Sequence, residues 1–553
     1  MSAGDPSVMF ARVSASRSAA PLCAFAGGAL PTTVLSCCLS TLLPLLGTAA
    51  VLPLRATCKE AAEAAAQYPW EDTETVIQGS VGAWRACFPR ARAANVSQID
   101  LHTNASRRAA TLDADFVHLA GLRVLHMRAC TSVTDAAFAH LTGIRTLDMK
   151  DCNQAAITDA AFAHLRGIHT LHMGGCKQPT ITDAAFAHLR GIHTLHMGGC
   201  NQATITDAAF AHLRGIHTLR MWDCNQAGIT DAAFVHLRGI QFLHMDSCRQ
   251  AGITDAAFAH LRGIHTLDMG WCTQAGITDA AFSHLRGIHS LRMYNCTQEG
   301  ITEAAFVHLR GIHSLDMGFC PQVATDAAFA HLSGIHTLKM QGVDSSMTDA
   351  AFESLRGIHT LEADRSFLPR VTDAAFSHLA GIHTLNIHNA RMEGITDAAF
   401  AHLRGIHTLD MSHSFLAGIT DAAFAHLAGI HTLDIRGCNQ AGITDAAFAH
   451  LRGIHTLKMG GCDQATITDA AFAHLRGIHT LVMYNCNQAT ITDAAFVHLQ
   501  GIHRLSMQGC RQKGITTAAL ACLRGIHTLC LSGSHFGTRE DILALCEAKE
   551  LIG

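Results

Sequence analysis

Residues 157–180 read ITDAAFAHLRGIHTLHMGGCKQPT, and a unit of this form recurs with little change from about Leu112 to Ser534. The leucine of its GIHTL segment returns every 24 residues, with occasional spacings of 22 or 23. A fixed period of this length is typical of stacked repeats rather than of an enzyme core. The sequence therefore predicts an array of about eighteen clear repeats, preceded by one degenerate copy that begins near Ile99.

Two hydrophobic periods alternate within each unit. Leu171 and Met173 are two residues apart, which is the period of a strand with one buried face. Phe162 and Leu165 are three apart, which places them on one face of a helix, and Thr158 is a suitable N-cap. Each unit is therefore predicted to contain one strand, one turn and a helix of about two turns.

Neither element is stable alone, because the helix is short and a single strand has no pairing partner. In-register stacking pairs each strand with that of the next unit and lays the helices along the opposite side. The predicted fold class is α/β, a solenoid with a curved parallel sheet as its concave wall and short helices outside.

The pattern Ile168-x-x-Leu171-x-Met173-x-x-Cys176, followed by ITDAAFAHL, resembles the leucine-rich repeat, specifically its cysteine-containing subtype. The resemblance covers roughly four-fifths of the chain, although the units are a little shorter than is usual for that subtype. It implies a protein-binding role, because members of this subtype commonly form the protein-binding arms of F-box proteins.

The charge balance argues against polyanionic partners. Forty Lys and Arg against 44 Asp and Glu give a formal net charge of −4. Such a chain has no overall basic field to attract nucleic acid or an anionic membrane surface. The sequence therefore predicts no nucleic-acid partner.

The chain has 21 cysteines, and thirteen of them occupy one position of the repeat. That position also accepts Ser366, Ser414, Val343 and Ala390, which neither a disulfide nor a metal site would tolerate. We therefore expect reduced thiols in a buried ladder and a cytoplasmic or nuclear location. The thirteen are Cys130, Cys152, Cys176, Cys200, Cys224, Cys248, Cys272, Cys296, Cys320, Cys438, Cys462, Cys486 and Cys510.

Most of the 39 histidines belong to two further repeat positions, represented by His164 on the helix and His169 before the strand. Metal ligands must converge on one point, whereas these residues are predicted to form parallel rows. No single histidine differs from its equivalents in the other repeats in a way that would indicate a catalytic base. The sequence thus predicts structural ladders and indicates no metal, no cofactor, no catalytic residue and no enzyme activity.

The segment before the repeats has a different character. Residues 1–25 are predicted to be a disordered leader, and residues 30–54 form a run of 25 without a charge. One interpretation of this run is a signal peptide or membrane anchor. Three prolines, Pro31, Pro44 and Pro53, argue against it.

The other interpretation is that residues 26–70 resemble an F-box, with Leu30-Pro31 at the start and Leu54-Arg55-Ala56-Thr57-Cys58-Lys59 at the end. Ala61 stands where that family usually has tryptophan. The resemblance implies docking onto a Skp1-type adaptor, and a helical cap of the array is the third alternative. The residues that would face the adaptor are Leu30, Pro31, Leu35, Leu42, Leu54 and Cys58.

The remaining boundaries follow from these segments. Residues 71–95 are predicted to be a connector and residues 96–534 the repeat solenoid. Residues 535–553 are predicted to form a cap helix that includes Ile542, Leu543, Leu545 and Leu551.

Differences between repeats suggest a binding surface. Counting Ile168 as position one, positions five, seven and eight vary, while the helix keeps DAAFAHLRG almost unchanged. If the exposed helix positions are equally free to change, this asymmetry favours a binding role for the strand side. The aromatic and charged candidates on that side are Arg220, Trp222, Asp223, Asp246, Asp268, Trp271, Arg292, Tyr294, Asp316 and Phe319.

Together these features predict a substrate-recognition adaptor of a Skp1–cullin–F-box ubiquitin ligase that holds a protein target on its concave face. We expect it to be monomeric within that complex and not to be a membrane protein. The alternatives are an interaction scaffold without a ligase link, and a membrane-anchored or exported repeat protein.

Overall fold

The computed structural model describes residues 43, 46–56, 59–77, 79–97, 112–344, 347–533 and 539–552. The chain divides into two compact units, Met1–Leu195 and His196–Gly553. The predicted leader and most of the predicted adaptor-facing residues, namely Leu30, Pro31, Leu35, Leu42 and Cys58, lie outside the described residues.

In the described part of the first unit, three short helices, α1 (Thr48–Arg55), α2 (Lys59–Gln67) and α3 (Val81–Cys87), precede strand β1 (Ala93–Asn95). Over the described part of the chain, no helix has the length and apolar character needed to cross a membrane.

The predicted connector contributes to the sheet of the first unit. β1 lies within residues 71–95 and pairs in parallel with the next strand, with Ala94 opposite Leu125. Its helix α3 buries Trp84, and Phe88 packs edge-on against Trp70 at a ring-centroid distance of 5.6 Å. These residues thus form a helix and strand that precede the clear repeats, where the sequence predicted only a link.

The later strands of the first unit continue the same parallel ladder, with the repeat leucines in register, such as Leu147 opposite Leu171. They are β2 (Val124–His126), β3 (Thr146–Asp148) and β4 (Thr170–His172). The strand β5 (Thr194–His196) spans the boundary between the units.

The second unit contains fifteen further described strands of three residues each, paired in parallel in chain order. They are β6 (Thr218–Arg220), β7 (Phe242–His244), β8 (Thr266–Asp268), β9 (Ser290–Arg292), β10 (Ser314–Asp316), β11 (Thr337–Lys339), β12 (Thr360–Glu362), β13 (Thr384–Asn386), β14 (Thr408–Asp410), β15 (Thr432–Asp434), β16 (Thr456–Lys458), β17 (Thr480–Val482), β18 (Arg504–Ser506), β19 (Thr528–Cys530) and β20 (Glu550–Ile552).

The helix of each repeat is shorter in α form than predicted. Thr254 caps one of them, because its hydroxyl accepts a hydrogen bond from the Ala256 N–H at 3.3 Å. One turn of α-helix follows, and in many repeats the second turn is a 3₁₀-helix, the tighter form common at helix ends. The α-helices are Asp135–Phe138, Asp159–Phe162, Asp183–Phe186, Asp207–Phe210, Asp231–Phe234, Asp255–Phe258, Asp279–Phe282, Asp326–Phe329, Asp349–Glu353, Asp373–Phe376, Asp397–Phe400, Asp421–Phe424, Asp445–Phe448, Asp469–Phe472, Asp493–Phe496 and Thr517–Ala521. The 3₁₀-helices are Leu112–Leu119, Ala139–Leu141, Ala163–Leu165, Val235–Leu237, Glu303–Leu309, Pro321–Val323, Ser377–Leu379, Ala401–Leu403, Ala425–Leu427, Ala449–Leu451, Ala473–Leu475 and Val497–Leu499.

The core lies between strands and helices, and the predicted core positions are confirmed. Phe162, Leu165, Ile168, Leu171 and Met173 are all buried, and the equivalent residues of the other clear repeats are buried too. Because a strand of three residues and a helix of one turn bury little by themselves, this shared core is what stabilises each repeat.

Hydrogen bonds join each helix start to the next. The Asp231 carboxylate accepts both the N–H of Thr254, at 2.7 Å, and its hydroxyl, at 2.6 Å. Asp255 accepts the same pair from Thr278. The exposed-looking Asp and Thr of the helix side are therefore not free to vary, contrary to the assumption made from the sequence.

The predicted cysteine ladder is confirmed. The Cys248 thiol donates to the Met221 carbonyl of the preceding repeat at 3.0 Å, and burial raises the pKa of Cys248 to about 12. Where serine replaces cysteine, the Ser414 hydroxyl makes the same kind of bond to the Ile387 carbonyl. The described cysteines are all free thiols.

The described C-terminal residues form a helix and a strand. The helix Arg539–Cys546 buries Ile542 and Cys546. Leu551, which the sequence placed on the helix, lies in β20, where it pairs with Leu529 of β19. The repeat ladder is thus extended by a final strand behind the cap helix.

Candidate functional site

The candidate residues lie on the strand side of the second unit, where each strand is followed by a tight turn. In β8 the middle residue Leu267 is buried, whereas the flanking Thr266 and Asp268 are half-buried. The turn at position eight has a left-handed backbone, with φ of 57° at both Trp271 and Phe319. Other repeats place glycine there, for example Gly461, which adopts this conformation without steric cost.

Bonds to the neighbouring repeat hold these turns in place. The Trp271 N–H donates to the Tyr294 carbonyl at 2.7 Å, and the Phe319 N–H donates to the Gln341 carbonyl at 2.6 Å. A left-handed conformation costs a bulky residue on the order of 1 kcal/mol, and such bonds help to offset it. The two aromatic side chains are thus presented on a fixed backbone.

Trp271, Tyr294 and Phe319 form a continuous group, which we call the aromatic patch. The ring centroids of Trp271 and Tyr294 are 6.1 Å apart, and those of Tyr294 and Phe319 are 5.2 Å apart in an edge-to-face arrangement. Trp271 is 40% exposed, which is unusual for so large an apolar side chain.

Glycines of neighbouring repeats make room for these rings. A Cβ on Gly318 would stand 2.9 Å from the Tyr294 ring, and a Cβ on Gly342 would stand 2.2 Å from the Phe319 ring. Real Cβ atoms do not approach so closely. The glycines at positions seven and eight therefore decide where an aromatic side chain can lie flat on the surface.

A group of charges borders the aromatic patch, and we call it the central charge cluster: Asp246, Asp268, Arg292 and Asp316. The Arg292 guanidinium lies 3.1 Å from Asp268, 3.1 Å from Asp316 and 3.4 Å from Asp246. Its Cζ also lies 5.3 Å from the centroid of the Tyr294 ring, within cation–π range. One arginine therefore connects three carboxylates with the aromatic patch.

Burial shapes the pKa values in this cluster. Burial would lower the pKa of Arg292, but the charge of Asp268 and the hydrogen bond that Arg292 donates to it, followed by the charges of Asp316 and Asp246, raise that pKa instead. For Asp316, burial raises the pKa despite the opposing effects of the Gly318 N–H and Arg292. The guanidinium consequently stays charged at every physiological pH.

Three predicted residues, Arg220, Trp222 and Asp223, lie one to two repeats earlier on the same side. The Arg220 guanidinium stacks on the Phe242 ring at 5.2 Å, and Trp222, 39% exposed, covers Gly198. Asp223 accepts a hydrogen bond from the Asn225 amide at 3.0 Å. The structure thus gathers seven of the ten predicted residues into the aromatic patch and the central charge cluster.

Sequence reasoning missed a histidine beside the central charge cluster. His244 Nε2 lies 3.2 Å from Asp268, and burial lowers the pKa of His244. With Asp246 these residues place three potential ligand atoms within 4.8 Å of one another. Arg292 already contacts both carboxylates, so its positive charge opposes a metal cation at this point.

A second cluster, also missed, surrounds Asp434, which is only 2% exposed. Arg436 contacts it at 2.7 Å and Lys458 at 3.3 Å, and the Arg436 guanidinium donates to the Tyr484 hydroxyl at 3.5 Å. The sequence did carry a signal for this cluster, since opposite charges stand at positions five and seven of these repeats, as in Asp434 and Arg436. The predicted binding residues lie in earlier repeats because Trp222 and Trp271 are found there.

The histidine ladder predicted before the strands is confirmed for the second unit. His265 lies beside His289 at a ring-centroid distance of 4.5 Å, and its Nδ1 is 3.0 Å from the Thr266 hydroxyl. The rings are stacked in parallel and do not converge on one point. The stacked column continues through His313, His336, His359, His383, His407, His431, His455, His479, His503 and His527.

Of the predicted adaptor-facing residues, only Leu54 is described, and it is half-buried at the end of α1. The next residue, Arg55, donates hydrogen bonds to the carbonyls of Ala62 and Cys87 and lies 5.5 Å from the Phe88 ring. The adjacent helices α1 and α2 are thereby tied to α3. The Skp1-type contact itself stays a prediction.

Comparison with known proteins supports the fold assignment. The family model described as the leucine-rich repeat matches residues 380–441. No curated protein matches the chain. Since parallel three-residue strands, short helices and the buried leucine ladder recur throughout both units, the fold is that of leucine-rich-repeat proteins.

Solved structures share this fold at low sequence identity. A chain of the TLR13–ssRNA13 complex has a TM-score of 0.54 and 15% identity, covering 77% of this chain and 65% of that one. The Toll–Spatzle complex of Drosophila gives 0.53 and 16%, covering 77% and 60%. Mouse RP105/MD-1 gives 0.51 and 14%, covering 79% and 84%. This chain thus spans less than two thirds of the length of the first two.

Proposed function

We propose that this protein is a protein-binding scaffold that holds a protein target on the strand side of its second unit. The observation that carries the proposal is the aromatic patch, in which a 40% exposed Trp271 adjoins Tyr294 and Phe319. Exposed aromatic side chains beside arginine have the composition of binding hot spots. Their rigid turns reduce the entropy lost on binding.

Two further observations support a protein target. The Toll and RP105 structures are complexes with Spatzle and MD-1. The TLR13 complex contains single-stranded RNA, but here the net charge is −4 and the central charge cluster has more acidic than basic groups. A surface of this charge repels a phosphate backbone.

The test compares two double variants of the full chain. Trp271→Ala with Tyr294→Ala should weaken binding of a copurifying target by tenfold or more, because burying each large side chain contributes about 1.5–3 kcal/mol and about 1.4 kcal/mol is one decade. The melting temperature should change little. Arg262→Ala with Arg286→Ala, on the helix side, is the matched control.

The outcome that contradicts the proposal is the reverse pattern. If the helix-side pair abolishes target binding while the aromatic pair leaves it intact, the partner binds the helix side. Isothermal titration of the purified target against each variant distinguishes the two results.

We propose further that the N-terminal helices dock onto a Skp1-type adaptor, so that the scaffold delivers its target to a ubiquitin ligase in the cytoplasm or nucleus. The support is the F-box-like order of residues together with the Arg55 contacts that tie α1 and α2 to α3. The free, buried thiols of the described repeats suit a reducing compartment. A scaffold without the ligase link remains the alternative.

The adaptor proposal is tested by copurification. Leu42→Asp with Leu54→Asp in the full chain should abolish adaptor binding, because an unpaired charge at an apolar contact costs several kcal/mol. Trp271→Ala should leave adaptor binding unchanged. Recovery of the intact protein only in the membrane fraction, with no adaptor bound, would support the anchor interpretation instead.

A further inference from the structure

The aromatic patch leaves one ring surface open to a partner. The Tyr294 ring is already contacted by Arg292, whose Cζ lies 5.3 Å from the ring centroid, and by the backbone at Gly318. Phe319 lies over Gly342. Trp271 is the most exposed of the three, so its indole is the surface on which an additional group can lie.

Carboxylates lie beside the residue that precedes Trp271. The residue before Trp271 is Gly270, whose N–H donates to Asp268 Oδ1 at 3.1 Å. A Cβ on Gly270 would stand 2.6 Å from Asp246 Oδ1. Asp246 and Asp268 are therefore both adjacent to the backbone that leads into Trp271.

The central charge cluster has an excess of negative charge. Three carboxylates, Asp246, Asp268 and Asp316, contact one guanidinium, that of Arg292. Lys339 also acts on Asp316, but it is itself paired with Glu362 at 2.9 Å, so the carboxylates still outnumber the cations. His244 does not offset this excess, since burial lowers the pKa of its imidazole and favours the neutral form. Each carboxylate also has acceptor sites beyond those that Arg292 uses.

We propose that this site receives an arginine or lysine side chain from a basic segment of the protein target, with the cation on the Trp271 ring and its charge facing Asp246 and Asp268. The inference rests on the proposed function and names the chemistry of the partner. Tryptophan binds cations more strongly than other aromatic residues do, and a nearby carboxylate adds to the attraction. An acidic segment would meet a net negative charge and be repelled.

The geometry favours a flat organic cation over a metal ion. A metal bound by His244, Asp246 and Asp268 would have to contact oxygens that Arg292 already contacts at 3.1–3.4 Å. A cation on the indole face instead approaches the carboxylates from the side of the exposed ring. The second cluster is arranged differently, because one carboxylate, that of Asp434, contacts two cations, Arg436 and Lys458.

The experiment titrates the full chain with peptides of about twelve residues that alternate glycine with arginine, lysine or glutamate, using calorimetry. The arginine and lysine peptides should bind, and the glutamate peptide should not. Raising the salt from about 0.05 M to about 0.3 M should weaken binding, because screening shortens the reach of exposed charges. Trp271→Ala and Asp246→Asn should each lower the affinity by about fivefold or more.

Control variants separate the site from general charge effects. Glu393→Gln removes one exposed carboxylate elsewhere in the second unit and should change the affinity less than twofold. Trp271→Phe keeps an aromatic ring and should give an intermediate affinity, so that a folding defect of Trp271→Ala cannot be mistaken for loss of the site.

Two results overturn the inference. One is tight binding of the glutamate peptide, and the other is arginine-peptide binding that is unchanged in both Trp271→Ala and Asp246→Asn. If the target depends on Trp271 but no cationic peptide binds there, only this inference fails. If cationic peptides bind at Trp271 while the target is indifferent to Trp271→Ala, the cation site is supported and the proposed function fails.

Discussion

The helix side and the strand side of the second unit are built from the same repeat but differ in what their sequences preserve. On the helix side each aspartate bonds the threonine of the next repeat, as Asp231 bonds Thr254. On the strand side, side chains at positions five, seven and eight form local groups such as the one around Arg292. Constancy on the helix side therefore reflects one bond that recurs between repeats, whereas the side-chain bonds between repeats on the strand side differ from place to place.

This comparison changes the argument for a binding surface. Variation alone does not identify one, because the helix positions were never free to change. The proposal for the strand side rests instead on its chemical content: an exposed tryptophan, a connected aromatic patch and a charge cluster rich in carboxylates. If the two sides differ in this way, substitutions in their shared core should have the largest effects and substitutions of exposed residues the smallest.

The largest effect should follow loss of a core residue that serves both sides. Phe258 is fully buried, and Phe258→Ala should lower the free energy of unfolding by about 3–5 kcal/mol through lost burial and the cavity left behind. Urea denaturation followed by circular dichroism measures this. Trp271→Ala, at an exposed ring, should cost far less, and an equal loss in both would remove the distinction between core and surface.

The second prediction compares the stability lost when a helix-side aspartate is removed with that lost when a strand-side aspartate is removed. Asp255→Ala deprives Thr278 of two hydrogen-bond acceptor contacts at a helix cap and should destabilise the protein by about 1–2 kcal/mol. Asp364→Ala, on the strand side, is the matched variant and should stay within about 0.5 kcal/mol. Equal losses would mean that the Asp–Thr bonds do not explain the constancy of the helix side.

A third prediction concerns the stacked histidines that border the strands. Loss of surrounding water, and then the charge of neighbouring imidazoles, lower the pKa values of His289, His336, His383 and His431. For a lowered histidine pKa the unfolded chain binds more protons, so stability is complete above about pH 6.5 and falls as the pH drops through the folded pKa. The melting temperature should therefore decrease between about pH 7.5 and pH 5.5.

The chain supplies a control for this prediction, because Gln241 replaces histidine at the same repeat position. Changing His383, His407 and His431 to glutamine should reduce the pH dependence without greatly changing stability at about pH 7.5. A melting temperature that stays flat in the wild type would show that the stacked rings titrate independently.

The smallest effect is expected for the helix-side arginines. The Arg262 guanidinium donates to His284 Nδ1 at 3.4 Å in an exposed position. Arg262→Ala and Arg286→Ala should each change the free energy of unfolding by less than about 0.5 kcal/mol, since exposed polar contacts contribute little. A larger loss would show that these arginines help to join the repeats and would disqualify them as binding controls.

The sequence alone determined the parallel strands, the helix positions, the buried cysteine ladder and the histidine column. Each depends on a residue such as Leu171 or Cys176 whose spacing repeats, and a repeated spacing has one in-register stacking solution. The strand-side placement of the candidate residues also follows from the sequence, because position within the repeat fixes which side a residue faces, whereas their role in binding stays a prediction.

Only the tertiary structure shows which side chains of neighbouring repeats contact one another. Arg292 collects carboxylates from three other repeats, the ring of Tyr294 lies on Gly318, and Gln274 donates from the core to the Cys248 carbonyl at 2.7 Å. It also placed Leu551 in a strand and assigned β1 to the predicted connector. The repeat pattern specifies the length of the repeat and the side on which each residue lies. Contacts between repeats also depend on side-chain length, turn conformation and the space left by a neighbouring glycine. These factors combine only when the repeats are packed together.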